Sequence, residues 1–267
     1  MIARLGATRP FRIHYAPDDP RPWYLLKGAA LWAGMRTSDN PTQADATFYF
    51  DDTTCGAPPT IGGPPLFNGR CTDISKSHVA RTFAETFGYP LLLDPQASTG
   101  EIVEKPEKNG VHSGRIVRAP VRPRDGYVYQ RLVDTSDGRG LVHDLRTPCV
   151  RGAPVLVWEK TKPVGKRFAI HNRRARLRNP ADVFSPEELG QIQAFNRRMG
   201  LDWGGLDILR DRHDGRIYIV DVNKTDLGPV IALSWPDKIR SMNRLSRAVT
   251  GLVGTPIETP AAGGPSP

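Results

Sequence analysis

The chain has 267 residues, 39% of them hydrophobic and 24% charged, which is typical of a globular protein of one large domain or two small ones. This composition excludes collagen, a disulfide mini-scaffold and a wholly disordered chain. The net charge of +9 invites a polyanionic partner, such as nucleic acid or a nucleotide phosphate.

The N-terminus has no apolar run long enough for a signal peptide, and no segment approaches the roughly 18 apolar residues of a membrane helix. We therefore expect a cytoplasmic protein. The three cysteines are odd in number and widely spaced, which favours free thiols over disulfides or a zinc site. They are Cys55, Cys71 and Cys149.

The first part of the chain predicts a β-α-β unit. Residues 11–15 and 46–50 are apolar runs of strand length, and residues 23–33 are rich in Leu, Ala and Trp, as in a helix. Residues 55–69 hold four prolines and four glycines, which predicts a linker.

Capped helices and short strands are predicted beyond the linker. Asp73 is expected to cap a helix that Gly88 ends, and Ser185 a helix that Gly200 ends. A last helix is expected over residues 236–251. The intervening strands are predicted at residues 91–94, 102–105, 115–118, 127–133, 145–150 and 155–160.

Residues 205–223 hold two apolar runs around a turn. If residues 213–215 form a three-residue loop, Asp207 lies directly opposite Asp221, and Asn223 projects on the same face. Like charges in opposed positions destabilise a strand pair, so a compensating cation is expected. Two carboxylates and an amide oxygen suit a hard cation such as Mg²⁺.

A simpler alternative is that these aspartates flank turns or form salt bridges with arginine, as most aspartates do. Asp221, however, follows the apolar run at residues 217–220, which is typical of a strand buried on both faces. A carboxylate there is costly without a partner, which favours the metal site.

The hairpin resembles the metal-binding hairpin of the ATP-grasp superfamily, in which an acid and a turn precede Glu-x-Asn. Residues 200–207, Gly-Leu-Asp-Trp-Gly-Gly-Leu-Asp, are similar to a segment of the ribosomal-protein-S6 modification ligases and bacterial glutathione synthetases. The resemblance covers about residues 70–230. It implies an α/β (α+β) fold in which two lobes clasp ATP.

Taken with the linker, the resemblance divides the chain into four parts. They are an N-terminal unit at 1–68, a lobe with a glycine loop at 69–128, a lobe with the metal site at 129–253, and a disordered tail at 254–267.

Other motifs follow the superfamily's order along the chain. His143-Asp-Leu-Arg146 resembles its Asp-x-Arg strand, and residues 103–106 with 109–114 resemble the strand lysine and the glycine loop over the phosphates. The resemblance implies that ATP is contacted by Lys76, Lys105, Asn109, Gly110, Gly114, Gln130, Arg131 and Leu132.

The resemblance also implies the catalytic groups. Asp207, Asp221 and Asn223 would hold Mg²⁺ (or Mn²⁺). The γ-phosphate and the carboxylate substrate would be contacted by Arg146, Lys160 and Arg176.

Three features depart from the superfamily's pattern. Asp221 stands where Glu is usual, and Lys224-Thr-Asp-Leu-Gly-Pro229 replaces the usual Pro-Gly after the asparagine. Arginines replace the small residues of the acceptor-side motif at 171–175.

The implied reaction is the ATP-dependent joining of a carboxylate to an amine through an acyl phosphate, on small-molecule or peptide substrates. An ATP-grasp phosphotransferase is one alternative, and a non-catalytic nucleotide- or nucleic-acid-binding relative is another. We expect no membrane partner and no nucleic-acid partner.

Residues 160–178 hold eight basic residues and no acidic one, so most of the net charge is local. The stretch is interpreted as lining the site of an anionic acceptor, because it falls where the resemblance places phosphate and substrate contacts. A solvated loop is the plain alternative. A nucleic-acid arm is a third, although Phe168 is its one aromatic residue for stacking bases.

Overall fold

The computed structural model describes residues 9–111, 113–169 and 172–255, so most of the predicted tail lies outside the described residues. The first unit is a parallel sheet with the order β2-β1-β3-β4, and α1 (Leu25–Trp32) connects its first two strands. The strands are β1 (Arg12–Pro17), β2 (Arg36–Thr37), β3 (Ala46–Phe50) and β4 (Leu66–Phe67). The β-α-β prediction is confirmed, but residues 55–69 are not wholly linker, because β4 pairs with β3.

Helix α2 (Lys76–Phe87) starts later than predicted. Ser75, not Asp73, is its N-cap residue, and its hydroxyl accepts from the His78 N–H. Asp73 instead accepts from the backbone N–H of Ser75 at 2.7 Å, so it stabilises the turn before the helix. Gly88 ends the helix with φ of +79°, as predicted.

A three-stranded antiparallel sheet follows α2, in the order β6-β5-β7. Its strands are β5 (Gly100–Pro106), β6 (Arg115–Ala119) and β7 (Tyr127–Arg131). The strand predicted at residues 91–94 is reduced to one bridge, between Leu92 and Gln130.

The larger sheet has six strands, with the order β11-β10-β8-β12-β13 and β9 paired to β8. They are β8 (Leu141–Val150), β9 (Ala153–Pro154), β10 (Val157–Pro163), β11 (Arg174–Arg178), β12 (Trp203–Arg210) and β13 (Ile217–Asn223). Two helices complete the fold, α3 (Pro186–Met199) and α4 (Trp235–Gly254). As predicted, Ser185 caps α3, and it forms a capping box with Glu188.

Two apolar cores cover the larger sheet. One lies between the sheet and helices α2 and α3, and includes Phe83, Phe195 and Leu206. The other joins the N-terminal sheet, α1 and α4 to the strands around Trp158 and Trp203. The N-terminal unit therefore shares its core with the C-terminal half of the chain.

Asn68 fastens the end of the linker to β12. Its Nδ2 donates to the Trp203 carbonyl at 2.8 Å, and its Oδ1 accepts from the backbone N–H groups of Asp202 and Trp203. Its own N–H donates to the Asp202 carboxylate. The Asn68 side chain thus forms hydrogen bonds with the backbone at the beginning of β12, as a neighbouring strand would.

The three cysteines are free, as predicted. Within the described residues, no helix is long and apolar enough to cross a membrane.

Candidate active site

The hairpin of β12 and β13 brings the predicted acids together. Asp207 lies opposite Asp221, as predicted, and Gly205 lies opposite Asn223. The turn itself was predicted wrongly. Asp211 and Arg216 close a four-residue loop, and the pairing slips by one residue between Asp207 and Ile208. The longer loop and this bulge compensate each other, so the acids meet in the expected register.

The cations of the C-terminal lobe converge on Asp207. Directly opposed residues share a face of the sheet, and Arg146 lies opposite Asp207. Its Nη1 donates to Asp207 Oδ2 at 2.6 Å, and Lys160 Nζ donates to Oδ1 at 3.0 Å. Burial alone would raise the pKa of Asp207, but the charges of Arg146 and Lys160 outweigh it and hold the pKa well below its usual value.

The other lobe reaches the second acid. Lys76, the first residue of α2, is buried and its Nζ donates to Asp221 Oδ1 at 2.5 Å and to Asn109 Oδ1 at 2.6 Å. Asn109 Nδ2 in turn donates to the Val222 carbonyl at 3.3 Å. The glycine loop and α2 are therefore joined to the hairpin, and the repulsion expected between the two acids is offset by basic side chains of both lobes.

Lys105 lies on β5, partly buried, and forms no ion pair within the described residues. Burial lowers its pKa to about 8, and the nearby Lys76 adds to the effect, while Asp221 and Asp207 oppose it. A lysine with that pKa is mostly protonated at neutral pH, and above about pH 8 the binding of an anion would favour uptake of a proton.

A cleft of 770 Å³ opens between the glycine loop and the segment after β10. Gly114, Arg131 and Leu132, all predicted ATP contacts, line it together with Phe168. A side chain at Gly114 would press on the Phe168 ring, 3.0 Å from the place of its Cβ. Gly110, at the other end of the loop, has φ of +77°.

Gln130 is buried on β7, and both polar atoms of its amide lack a hydrogen-bond partner in the part of the chain that the structure describes. It lies opposite Val103 on β5, so it projects on the same face as Lys105. An unsatisfied buried amide is costly, and a purine edge offers it both a donor and an acceptor.

Asp226 is a member of the cluster that the sequence reasoning did not assign. It is buried, its Oδ1 accepts from Arg146 Nη2, and its Oδ2 has no partner among the described residues. Burial raises its pKa although Arg146 lowers it. A Cβ at Gly205 would overlap this carboxylate, so the glycine makes room for Asp226.

Lys224, also unassigned, is fully buried immediately after Asn223. Its Nζ lies 3.9 Å from Asp51 Oδ2 and 4.8 Å from the centre of the Tyr49 ring, and it makes no hydrogen bond to a described residue. This lysine links the N-terminal unit to the hairpin. The signal in the sequence was the replacement of Pro-Gly by a segment carrying Lys224 and Asp226.

Arg176 is not brought to this cluster. In the strand register, Arg176 on β11 lies opposite Glu159 on β10, whereas Lys160 on β10 lies opposite Ala175 on β11 and Asp144 on β8. Adjacent residues of a strand point to opposite faces, so Arg176 projects away from Asp207. The basic stretch is therefore split between the two faces of the sheet.

The donor set suits Mg²⁺, because two carboxylates and the Asn223 side chain, whose amide oxygen can ligate the ion, share a face of the hairpin. No group of three or more His, Cys, Asp or Glu side chains that could hold a metal occurs in the described ranges, so an ion here would rely on the two carboxylates, the amide oxygen and the phosphate oxygens of a ligand. A bound ion would compete with Lys76, Arg146 and Lys160 for the carboxylate oxygens.

Comparisons with solved structures identify the fold. The ATP-grasp ligase PsnB, solved with a minimal precursor, has a TM-score of 0.56 at 14% identity, covering 92% of this chain and 99% of PsnB. A RimK domain ATP-grasp protein from Sphaerobacter thermophilus scores 0.52 at 12% identity, over 91% of this chain and all of that one. The chain therefore has the ATP-grasp fold, as the sequence predicted.

A D-alanine–D-alanine ligase from Bacillus anthracis, solved with ATP, agrees with this result, with a TM-score of 0.51 at 11% identity over 91% of this chain and 97% of that one. No family model matches the chain. The carbamoyl phosphate synthase large chain of Clavibacter michiganensis is 25% identical over 177 residues, 57% of this chain. The chain spans only 15% of the length of that relative.

Proposed function

We propose that the protein is an ADP-forming ligase, which uses ATP to join a carboxylate to an amine through an acyl phosphate. The observation that carries the proposal is the convergence of basic side chains from both lobes on the opposed pair Asp207 and Asp221. Phosphoryl transfer requires alignment and charge neutralisation more than covalent help from the protein, and this cluster can supply both.

The proposed roles follow from position. Asp207, Asp221 and Asn223 would hold Mg²⁺ or Mn²⁺, which when bound neutralises phosphate charge. Lys76 and Lys105 are proposed to bind phosphate oxygens. The Gln130 amide and the cleft beside Leu132 are proposed to bind the adenine, and the glycine loop from Asn109 to Gly114 is proposed to exclude water.

On the acceptor side, Arg146 and Lys160 are proposed to bind the γ-phosphate and the substrate carboxylate. The proposed acceptor site is bordered by the segment around Asp51 in the N-terminal unit and by the loop that carries Lys224 and Asp226. PsnB was solved with a precursor peptide, and the other neighbour acts on D-alanine, so peptides and amino acids are the first candidate substrates. The proposed domain limits remain residues 1–68, 69–128 and 129–253.

Binding of Mg-ATP is the first test. A ligand that binds only the folded state stabilises it by about 2.7 kcal/mol at a hundredfold excess over the dissociation constant. We expect millimolar Mg-ATP to raise the melting temperature, and Asp207→Asn and Asp221→Asn to abolish the increase. Asp39→Asn, at an exposed position of the N-terminal unit, is the matched control and should behave as wild type.

Turnover is the second test. With a panel of amino acids and peptides plus hydroxylamine, a ligase should release ADP and phosphate and trap the acyl group as a hydroxamate. A phosphotransferase would instead accumulate a phosphorylated product without hydroxamate. ATP binding without turnover on any substrate would favour the non-catalytic alternative, and no melting shift with Mg-ATP would contradict the proposal as a whole.

A further inference from the structure

Helix α4 exposes an apolar stripe on the side away from the sheet. Trp235 is 77% exposed, and Ile239 lies four residues later on the same face of the helix. Asn243 continues the row, and its Oδ1 accepts from the exposed Trp32 indole of α1 at 2.8 Å. The stripe on α4 therefore continues onto α1.

Neighbouring apolar side chains widen the stripe. Leu31 precedes Trp32 on α1, and Ile231, which precedes α4, is 89% exposed. We call these five residues the α1–α4 face: Leu31, Trp32, Ile231, Trp235 and Ile239. Exposed apolar side chains gathered on two packed helices, two of them tryptophans, mark an interaction site more often than they mark bare protein surface.

The α1–α4 face carries an excess of positive charge. Residues 235–254 hold four basic side chains and one acidic, Asp237, and residues 23–37 hold no acidic side chain. Asp237 already accepts from Arg240 at 3.1 Å. Lys238 Nζ lies 5.0 Å from the centre of the Trp235 ring, so positive charge is placed directly beside the apolar stripe.

The charge decides which partner fits. A second copy of the chain would meet this face with the same face in a two-fold dimer, and arginines would then oppose arginines. An acidic segment with apolar side chains matches both properties. We propose that the α1–α4 face is a docking surface for an acidic polypeptide, whose apolar side chains cover Trp235 and Ile239.

The proposal is independent of the ligase reaction, because the face lies on the outer side of α4. On the inner side, Ser241 accepts from the Trp158 indole and Met242 and Leu245 pack in the core. Trp235 and Ile239 contact neither Asp207 nor Arg146, so their substitution leaves the proposed nucleotide site unchanged.

Selection from a random-peptide display library tests the proposal directly, with the wild-type chain as bait. Two double variants show whether binding of the selected peptides depends on the α1–α4 face. One combines Trp235→Ser with Ile239→Ser, and the other combines Arg240→Glu with Arg247→Glu. Arg197→Glu, on the exposed side of α3, is the charge control. A normal Mg-ATP melting shift, or a wild-type circular dichroism spectrum, shows that each variant is folded.

We expect the selected peptides to be rich in Asp and Glu with regularly spaced apolar residues. They should lose about tenfold or more in affinity with either face variant and little with Arg197→Glu. Neutral or basic peptides, or peptides that bind the face variants equally well, would overturn the proposal. Self-association that Trp235→Ser with Ile239→Ser abolishes, or tight binding to anionic vesicles in place of acidic peptides, would also overturn it.

Discussion

The two faces of the six-stranded sheet are built from the same strands but differ in chemistry. Leu145, Leu206 and Val222 project toward α2 and α3 and are almost fully buried among apolar side chains. Arg146 and Asp207, each adjacent in sequence to one of these, project the other way into a cluster of ion pairs. The face toward α2 and α3 contributes apolar burial to folding, whereas the other face combines its own apolar core around Trp158 with charges whose balance a ligand can change.

Removal of Arg146 should have the largest effect. Arg146→Ala leaves Asp207 and the buried Asp226 without their shared partner, and breaking a buried pair costs about 3–5 kcal/mol. Urea unfolding in the presence of a chelator measures this loss. Arg146→Lys, which keeps the positive charge but has one donor nitrogen in place of two, should lose less. A loss below about 1 kcal/mol for the alanine variant would show that the ion pairs do not matter for folding.

Truncation on the apolar face should cost somewhat less. Leu206→Ala removes a fully buried side chain between the sheet and its helices, and such changes cost about 2–5 kcal/mol. Because Leu206 projects away from Asp207, the folded variant should bind Mg-ATP with wild-type affinity. Calorimetric titration of the folded variant checks this, and an affinity loss comparable with that of Asp207→Asn would show that the two faces are coupled.

The protonation of Lys105 should make nucleotide binding depend on pH. Its pKa of about 8 is expected to rise when phosphate binds, so near and above pH 8 binding takes up a proton, and above pH 8 affinity falls about tenfold per pH unit. Without nucleotide the sign is opposite. From about pH 8 to 10.5 the unfolded chain holds more protons at this lysine, so its contribution to stability rises with pH.

Calorimetry in buffers of different ionisation enthalpy measures the proton uptake directly. Lys105→Met should abolish it and flatten the pH dependence of affinity. Binding that is equally tight at pH 7 and pH 9.5 in the wild type would contradict the role assigned to Lys105.

The smallest expected effect separates two members of the basic stretch. Lys160→Ala removes a charged hydrogen bond at Asp207 and should raise the KM for the carboxylate substrate about tenfold. Arg176→Ala, on the opposite face, should leave KM and kcat unchanged. Steady-state kinetics on the two variants compare the contributions of the two faces of the sheet. An equal rise in KM for both variants would show that both side chains contact the substrate.

Much of this arrangement could be predicted from the sequence. The alternation of the hairpin strands was enough to pair Asp207 with Asp221, although the loop was one residue longer than expected and a bulge absorbed the difference. Propensity and capping signals located α3, because Ser185 and Gly200 both have strong local preferences.

The remaining features depend on contacts that local patterns do not encode. The faces of Lys160 and Arg176 could not be related, because an irregular segment separates their strands and breaks the count of alternating residues. Asp226 and Lys224 lie in a loop without periodicity, so their burial follows only from the packing of the N-terminal unit and Gly205. The N-cap shifted from Asp73 to Ser75 because these two residues, separated only by Ile74, could each cap the helix.

The Asn68 contact with β12 can form only late in the synthesis of the chain. Asn68 and its partner Asp202 are 134 residues apart, so the ribosome needs roughly ten seconds or more to produce the second after the first. During that interval the nascent N-terminal sheet lacks both its attachment to β12 and the strands that complete its core. Its edge strand is then exposed and can pair with other chains. We therefore expect binding of chaperones to the nascent chain to prevent aggregation most during this interval.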